Sequence, residues 1–144
     1  MKTMFSSASE DWATPRALAA YLVELHGITL DVCAAAGNSV VPSFISKEEN
    51  ALVVPWKGTC FMNPPYGRGI GTWVERAYEQ SKIYGSKIVC LLPSRTDTKW
   101  WHEFVQPILN GKRKGSVEFL KGRLHFNESK AGAPFPSVIV VFDS

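Results

Sequence analysis

A short loop with the composition of a reactive site lies near the middle of this 144-residue chain. It reads Asn63-Pro64-Pro65-Tyr66 and follows the apolar run 60–62. Neither proline has a backbone N–H, and each one restricts its own φ angle and the conformation of the residue before it. A strand that enters this sequence must end. The result is a stiff loop that holds the Asn63 amide and the neighbouring carbonyl groups in set directions.

Such a loop suits chemistry on a planar amino group, for example the exocyclic amine of adenine. That nitrogen is a poor nucleophile because its lone pair is delocalised into the ring. If the Asn63 amide oxygen and the Pro64 carbonyl each accept one N–H, with Pro65 fixing their direction, the lone pair is freed to attack a methyl donor. Tyr66 offers a flat face to the base, which must leave the stack of duplex DNA to reach it.

Alternating helices and strands are predicted to position this loop. Apolar residues at helical spacing predict helices over 15–26, 72–84 and 98–109. Apolar, β-rich runs predict strands over 28–33, 39–41, 58–62, 86–93, 116–120 and 137–142, with an edge piece over 51–56. Thr14 is the predicted N-cap of the first helix, and Pro107 is expected to end or kink the third near Val105. Trp100 and Trp101 are adjacent, so only one is expected in the core.

This alternation predicts an α/β fold with three layers and a single domain over residues 1–144, of which 1–9 form a loose arm. Ligands of open α/β sheets bind at the carboxyl ends of the strands. The polar loops 31–38, 63–67 and 93–97 all follow predicted strands. We therefore expect these three loops to converge at one edge of the sheet.

Composition and charge limit the partners. The formal net charge is +3, which permits a nucleic-acid partner without demanding one. Cys33, Cys60 and Cys90 lie in or beside apolar runs, and we expect them to be reduced and buried. Without a CxxC pair or a Cys/His cluster we predict no metal site, and without an apolar run of about 18 residues we predict no membrane span. A cytoplasmic protein is expected.

Six blocks of sequence, taken in order, make the chain similar to the small phage and prophage N6-adenine DNA methyltransferases, the Dam-like group. The blocks are 12–15, 30–34, 63–66, 92–101, 122–126 and 133–137. The resemblance extends from Trp12 to Phe142. It implies a Rossmann-like α/β/α methyltransferase domain with a mostly parallel sheet and an antiparallel C-terminal strand. It also implies a phage-encoded enzyme that works in a bacterial cytoplasm.

The resemblance further implies S-adenosyl-L-methionine as the methyl donor. The donor-binding residues that it implies are Trp12, Thr14, Pro15, Asp31, Cys33, Ala34, Asn50 and Asn63. The catalytic residues that it implies are Asn63, Pro64, Pro65 and Tyr66. Two departures from the family pattern stand out: Asp-Val-Cys-Ala-Ala replaces a Gly-rich Phe-x-Gly-x-Gly loop, and Asn50 stands where such proteins often carry an aspartate.

DNA is the expected partner, with Arg95, Lys99 and Arg123 as candidate phosphate contacts. Because 144 residues leave no separate target-recognition domain, we expect loose or very short sequence preference and a monomer or weak homodimer. The sequence contains no Pro-Cys pair. This argues against cytosine-C5 methylation, which needs a thiolate nucleophile. N4-cytosine methylation, protein-glutamine methylation and a catalytically silent DNA-binding module remain alternatives, because the first two targets are also planar amino groups.

Overall fold

A computed structural model describes residues 12–35 and 37–144, and five strands of this part of the chain form one sheet. The strands are β1 (Leu30–Asp31), β2 (Thr59–Met62), β3 (Lys87–Pro93), β4 (Gly115–Phe119) and β5 (Ser137–Phe142). Their order is β1-β2-β3-β5-β4. The pairs β1–β2 and β2–β3 are parallel, whereas β5 is antiparallel to both β3 and β4. Four strands thus share one direction and only the last opposes them, as predicted.

The centre of the sheet follows from its composition. All six residues of β5 are buried, as are all residues of β3 after Lys87. The two strands pair from Ile88 opposite Phe142 to Pro93 opposite Ser137. A continuous apolar run, rather than an alternating one, is typical of strands covered on both faces. These two strands therefore form the core to which the site loops are attached.

Three α- or π-helical segments accompany the sheet in the described residues, and a short 3₁₀ helix spans Phe126–Glu128. Helix α1 spans Arg16–His26 and α2 spans Ile70–Tyr84, and each is followed by a glycine in the left-handed conformation. The third segment is a π-helical turn, Trp101–Val105, that continues directly into α3 (Gln106–Leu109). In this part of the chain, no helix is long and apolar enough to cross a membrane.

An end or a kink is predicted near Val105; the third segment changes there from π-helical to α-helical and continues through Pro107. Proline has no N–H to donate to the carbonyl four residues earlier, which belongs to Glu103, and its ring clashes with that carbonyl in a regular helix. The wider π-helical turn precedes the proline. The Arg113 guanidinium supplies the missing donor, because its Nη1 lies 3.1 Å from the Glu103 carbonyl oxygen.

The prediction that only one of the adjacent tryptophans enters the core is wrong. Trp100 and Trp101 are 8% and 1% exposed. Trp100 packs beside Gly71, where an added Cβ would lie 3.5 Å from the Trp100 Cβ. Trp101 has its ring centroid 6.0 Å from that of Phe119 on β4. Two neighbouring faces of this short helical segment are therefore covered, one by α2 and one by the sheet.

Two predicted β segments are loops. Residues 39–41 form bends, because the Val40 N–H is held by the Asp31 carboxylate at 3.0 Å and Pro42 has no N–H for a ladder. Residues 51–56 form turns and irregular backbone, since the Trp56 N–H donates to the side chain of Gln80 at 2.8 Å rather than to a strand. The arm predicted over residues 1–9 lies outside the described residues.

Candidate active site

The stiff loop after β2 holds the Asn63 amide in one orientation. Its Nδ2 donates to the Thr14 hydroxyl at 3.0 Å and to the backbone carbonyl of Trp12. A carbonyl oxygen accepts and never donates, so the amide nitrogen must face these two groups. The Thr14 hydroxyl therefore binds Asn63 and does not cap α1. The prediction of Thr14 as the N-cap is wrong, because Pro15 occupies that position.

The other end of the same amide is left unused. Asn63 Oδ1 is buried and has no hydrogen-bond partner within the described chain. Among hydrogen bonds of residues 12–35 and 37–144, none ends on the Pro64 carbonyl oxygen either. A buried acceptor without a partner costs about 1–3 kcal/mol, and such exceptions call for a ligand or another specific cause. Two neighbouring acceptors on a rigid loop are what a planar amino group requires.

A cleft of about 760 Å³ opens beside Asn63 at the carboxyl ends of β1 and β2. Its volume falls in the usual range of small-molecule sites, about 300–1,000 Å³. The predicted site residues that line it are Trp12, Thr14, Asp31, Cys33, Ala34, Asn50, Asn63, Pro64 and Pro65. We call this cleft the donor half of the site, because most of the residues that the family resemblance implies for donor binding line it.

The other predicted site residues lie outside the cleft lining, namely Pro15, Tyr66, Arg95, Lys99 and Arg123. Two of the three loops expected to converge, 31–38 and 63–67, contribute to the cleft, whereas none of residues 93–97 lines it. The positive charge of Arg95, in the last loop, acts on the phenol of Tyr66.

Tyr66 is buried rather than displayed. Its hydroxyl donates to the Leu91 carbonyl of β3 at 2.9 Å. Burial raises the pKa of Tyr66 well above its ordinary value, and the positive charge of Arg95 opposes this only in part. The phenol therefore stays neutral at physiological pH and acts as a structural hydrogen-bond donor.

Three aromatic rings pack around Tyr66, and together the four residues form what we call the aromatic cluster. The Trp12 ring is nearly parallel to Tyr66, with 6.5 Å between centroids and 25° between planes. Phe126 and Phe135 meet Tyr66 edge-on at 6.1 Å and 5.5 Å. Both phenylalanines also meet Trp12 edge-on, at 5.5 Å and 5.2 Å. We call this cluster the base half of the site, and Trp12 belongs to both halves.

Sequence reasoning gave Phe126 and Phe135 no role, although both lie within the blocks that carry the family resemblance, 122–126 and 133–137. It also missed Trp73, Asn38 and Glu48, which line the donor half. The signal for Glu48 was its place in a polar turn between two apolar runs. For the aromatic residues no signal exists in spacing, because their contacts join distant parts of the chain.

Comparison with known proteins decides the family. A family model described as DNA N-6-adenine-methyltransferase (Dam) matches residues 2–143. The chain belongs to this family. A DNA N-6-adenine-methyltransferase of Haemophilus phage HP1 (strain HP1c1) is 32% identical over 140 residues, which cover 92% of this chain and 78% of the phage protein.

A second relative, the DNA N-6-adenine-methyltransferase of Escherichia phage T1, is 32% identical over 133 residues. This match covers 84% of the chain but only 55% of the T1 protein, so the chain spans about half the length of that relative. The resemblance inferred from the six sequence blocks is thereby confirmed at the level of the family.

Asp31, the first residue of the family's implied donor-binding loop, shapes the backbone around the cleft. Its carboxylate accepts from the N–H of Cys33 at 3.2 Å and of Val40 at 3.0 Å. Burial raises the pKa of Asp31, and the two backbone hydrogen bonds work against that rise. Asn38 closes the same loop by accepting from the Ala35 N–H at 2.8 Å. This wall of the donor half is thus built by side chains that replace the absent glycine-rich loop.

Asn50 stands at a tight turn on the opposite wall. It has a φ of 59°, and its Oδ1 accepts from the Leu52 N–H at 3.1 Å. Asparagine tolerates this left-handed conformation better than most residues. In the preceding turn, Glu49 is engaged by Ser46 at 3.0 Å, whereas its neighbour Glu48 is exposed and lines the cleft.

The three basic candidates differ in their surroundings. Lys99 is exposed and pairs with Glu103 at 3.5 Å, one helical turn away. Arg123 is also exposed, and its Nη1 reaches the Ala133 carbonyl at 3.4 Å. Arg95 is half-buried beside the base half. Of the three, Arg95 is the one that lies close to a residue of the predicted catalytic loop.

The thiols are unpaired, and two of the three are buried. Cys60 and Cys90 are buried, as predicted, whereas Cys33 is half-buried and lines the cleft. Burial raises the pKa of all three, that of Cys60 to about 12. Among the described residues, no group of three His, Cys, Asp or Glu side chains is arranged to hold a metal ion.

Proposed function

We propose that this chain transfers a methyl group from S-adenosylmethionine to the exocyclic N6 of adenine in DNA. The observation that carries the proposal is the Asn63 amide, whose nitrogen is held by Trp12 and Thr14 while its buried oxygen has no partner in the described residues. Membership of the DNA N-6-adenine-methyltransferase family and the names of both phage relatives support adenine in DNA as the target.

The donor half fits the proposed cofactor in size and composition. It combines apolar walls, among them Trp73, with the polar side chains of Asn50 and Glu48. Asp31, Cys33 and Ala34 would hold the donor from one wall, Asn50 from the other, and Trp12, Thr14 and Asn63 at the end nearest the reaction. When bound, S-adenosylmethionine would supply an electrophilic methyl group: the methyl–sulfur bond would break as the bond to N6 forms, the donor would leave as a neutral thioether, and the amine would lose one proton to solvent. Pro15 lies outside the lining, so we assign it to the start of α1.

The sheet supports a Rossmann-like assignment for this single catalytic domain. Four strands run in one direction, and the cleft lies at the carboxyl ends of β1 and β2. Open α/β sheets bind ligands at that edge. The antiparallel β5 lies on the other side of β3 and leaves the cleft edge unobstructed.

In the proposed reaction, the chain acts by positioning. Asn63 Oδ1 and the Pro64 carbonyl each accept one hydrogen of the target amine, and Pro65 keeps the two acceptors in a fixed direction. The nitrogen lone pair is thereby turned away from the ring. No covalent enzyme intermediate is needed, and no described side chain in the donor half has the lowered pKa of a thiolate nucleophile, since burial raises the pKa of Cys33.

The base has to reach the face of Tyr66, which the aromatic cluster covers. Trp12 is the member of the cluster that also lines the cleft, so Trp12 is the ring that we expect to move when adenine enters. Arg95 is well placed to meet a DNA phosphate beside the base half, with Lys99 and Arg123 as weaker contacts. We further propose a loose or very short target sequence and a monomer or weak homodimer.

One experiment tests the proposal directly. The protein is incubated with S-adenosylmethionine labelled in the methyl group and with unmethylated DNA, and the DNA is digested to nucleosides. We expect the label on N6-methyldeoxyadenosine. Label on cytidine would identify an N4-cytosine enzyme instead, and label on an added protein would indicate glutamine methylation. Binding of DNA without any label would identify a silent binding module.

A further inference from the structure

Two consecutive residues near the base half adopt an unusual backbone. Asn127 and Glu128 have φ angles of 57° and 52°, directly after the cluster residue Phe126. Asparagine visits this left-handed region fairly often, but a long side chain such as glutamate seldom does. Backbone of this kind persists only where surrounding contacts hold it in place. The contacts of these two residues therefore indicate what the strained segment holds.

Both residues are tied to the segment just before α1. The Asn127 Oδ1 accepts from the Ala13 N–H at 2.9 Å, and the Asn127 N–H donates to the Ala13 carbonyl at 2.9 Å. Glu128 Oε1 accepts from the backbone N–H of Arg16 at 3.0 Å and from its Nε at 2.9 Å. These four hydrogen bonds join positions more than 110 residues apart, and we call them the strap.

The strap ends at the residues that orient the catalytic amide. Ala13 lies between Trp12 and Thr14, whose carbonyl and hydroxyl oxygens accept both hydrogens of the Asn63 amide. Residues 12–15 have no helix or strand of their own to fix them. A chain of hydrogen bonds thus leads from Asn127 through Ala13 and its two neighbours to Asn63.

We propose that Asn127 is a positioning residue for methyl transfer, with Glu128 supporting it through Arg16. The inference rests on the proposed function of Asn63. Asn127 also lines the cleft, but its side-chain oxygen is occupied by the Ala13 N–H. By fixing residues 12–14, it keeps two acceptors against the Asn63 nitrogen and so keeps the Asn63 oxygen directed at the target amine.

The physical consequence of losing the strap is a rotated amide. If residues 12–14 drift, the two ends of the Asn63 side chain become equivalent choices, and in one of them an N–H group faces the target amine. That orientation repels the hydrogens of the target instead of accepting them. Misplacement by about 1 Å in such an arrangement costs up to about 100-fold in rate. Donor binding is affected less, because loop 31–38 and the turns over 46–51, which take no part in the strap, supply half of the cleft lining.

The test uses two substitutions at one position and a control elsewhere. Asn127→Gly keeps the left-handed backbone and the N–H but removes the side-chain acceptor, whereas Asn127→Asp keeps an acceptor oxygen. Asn110→Gly is the matched control, since Asn110 is also exposed and also accepts one side-chain hydrogen bond, at 3.1 Å from Gln106. Each variant is assayed for kcat and KM on unmethylated DNA, for donor affinity by calorimetry and for thermal unfolding.

We expect Asn127→Gly to lower kcat at least tenfold with less than a twofold change in donor affinity. Asn127→Asp should retain kcat within threefold, and Asn110→Gly should match the wild type. A second measurement needs neither donor nor DNA: trypsin should cleave after Arg16 several times faster in Asn127→Gly than in the wild type or in Asn110→Gly, because the Ala13 N–H beside the start of α1 loses its acceptor and the strap is weakened.

Clear results would overturn the inference. An Asn127→Gly enzyme with unchanged kcat, or one whose donor affinity falls as much as its kcat, rules out a positioning role. So does equal loss in Asn127→Asp. Failure of the proposed function looks different: the wild-type protein would then place no label on adenine. If the wild type labels adenine and Asn127→Gly does so equally well, only the inference about Asn127 is overturned.

Discussion

The donor half and the base half of the site differ in how open they are to a ligand. The donor half is an open cleft of about 760 Å³ whose walls are held by hydrogen bonds of Asp31 and Asn38. The base half is closed, because four aromatic rings pack on one another with all six pairs of centroids between 5.2 and 6.5 Å. The difference supports our proposal that the donor enters a preformed pocket, whereas the base has to displace part of the protein.

The free energy lost when Trp12 leaves the cluster can be compared with the free energy gained when a base stacks on Tyr66. Trp12 takes part in three of the six ring pairs, and at about 0.5–1.5 kcal/mol each its removal from the cluster costs roughly 1.5–4.5 kcal/mol. A base stacked on Tyr66 returns about 1–3 kcal/mol. The exchange of one ring for another is nearly balanced. The remaining DNA contacts therefore decide whether the base half opens, and we expect the donor to bind readily without DNA.

The largest effect should come from Asn63, where the two halves meet. Asn63→Ala removes one of the two acceptors for the target amine, and loss of a comparable preorganised group costs about 10²–10³ in rate. We predict at least a 100-fold fall in kcat with donor affinity, measured by calorimetry, within threefold of wild type. Retained transfer would contradict the proposed role of Asn63. An equal loss of donor binding would show that Asn63 is needed for the donor half as much as for transfer.

The next largest effects distinguish a tryptophan of the base half, Trp12, from one of the donor half, Trp73. Trp12→Ala should lower the free energy of unfolding by about 2–3 kcal/mol, because it empties one corner of the aromatic cluster. Trp73→Ala, in the donor half, should weaken donor binding more than Trp12→Ala does. Urea unfolding and calorimetry on both variants give the comparison. The reverse ranking in donor affinity would mean that Trp12 belongs chiefly to the donor half.

Salt dependence of DNA binding distinguishes the basic residues. Arg95→Ala should weaken binding several-fold and reduce the slope of log K against log salt concentration by about 0.9, the value for one lost phosphate contact. Lys99→Ala is the matched control, and we expect it to be nearly unchanged because Lys99 is exposed and already pairs with Glu103. Equal effects of the two substitutions would show that Arg95 has no special place beside the base half.

The smallest effect is predicted for the hydroxyl of Tyr66. Tyr66→Phe keeps the ring and loses the hydrogen bond to the Leu91 carbonyl, which should cost about 1 kcal/mol of stability. Transfer should stay within threefold of wild type. Since burial raises the pKa of Tyr66 well above its ordinary value, the pH profile of transfer should also be unchanged up to about pH 9. A shifted profile would mean that the phenol takes part in the chemistry.

The predictable parts of this molecule are those encoded by local sequence. The buried run of β5, the glycine that ends α1 at Gly27 and the strand-ending loop at Asn63 all follow from composition, periodicity and proline chemistry. The strand predicted over residues 39–41 is wrong. The β-branched side chains of Val40 and Val41 favour a strand, but the Asp31 carboxylate accepts the Val40 N–H that a strand would use.

The unpredicted parts depend on contacts between distant residues. Tyr66 follows from the sequence as an exposed face for a base, yet Trp12, Phe126 and Phe135 cover it. The hydrogen bond between Ala13 and Asn127 joins residues 114 positions apart. Such contacts leave no mark in the spacing of apolar residues. Only the fold brings these side chains together.

The position of β5 has a consequence for how the protein is made. This strand follows β3 and β4 in the chain but lies between them in the sheet. Until residues 137–142 have left the ribosome, β3 presents an open apolar edge, and β4 has no partner strand in the sheet. Unpaired edges of this kind are prone to join other chains, and pairings over long sequence separations form slowly. Synthesis of the segment up to Phe142 is therefore the step that protects the growing chain from aggregation.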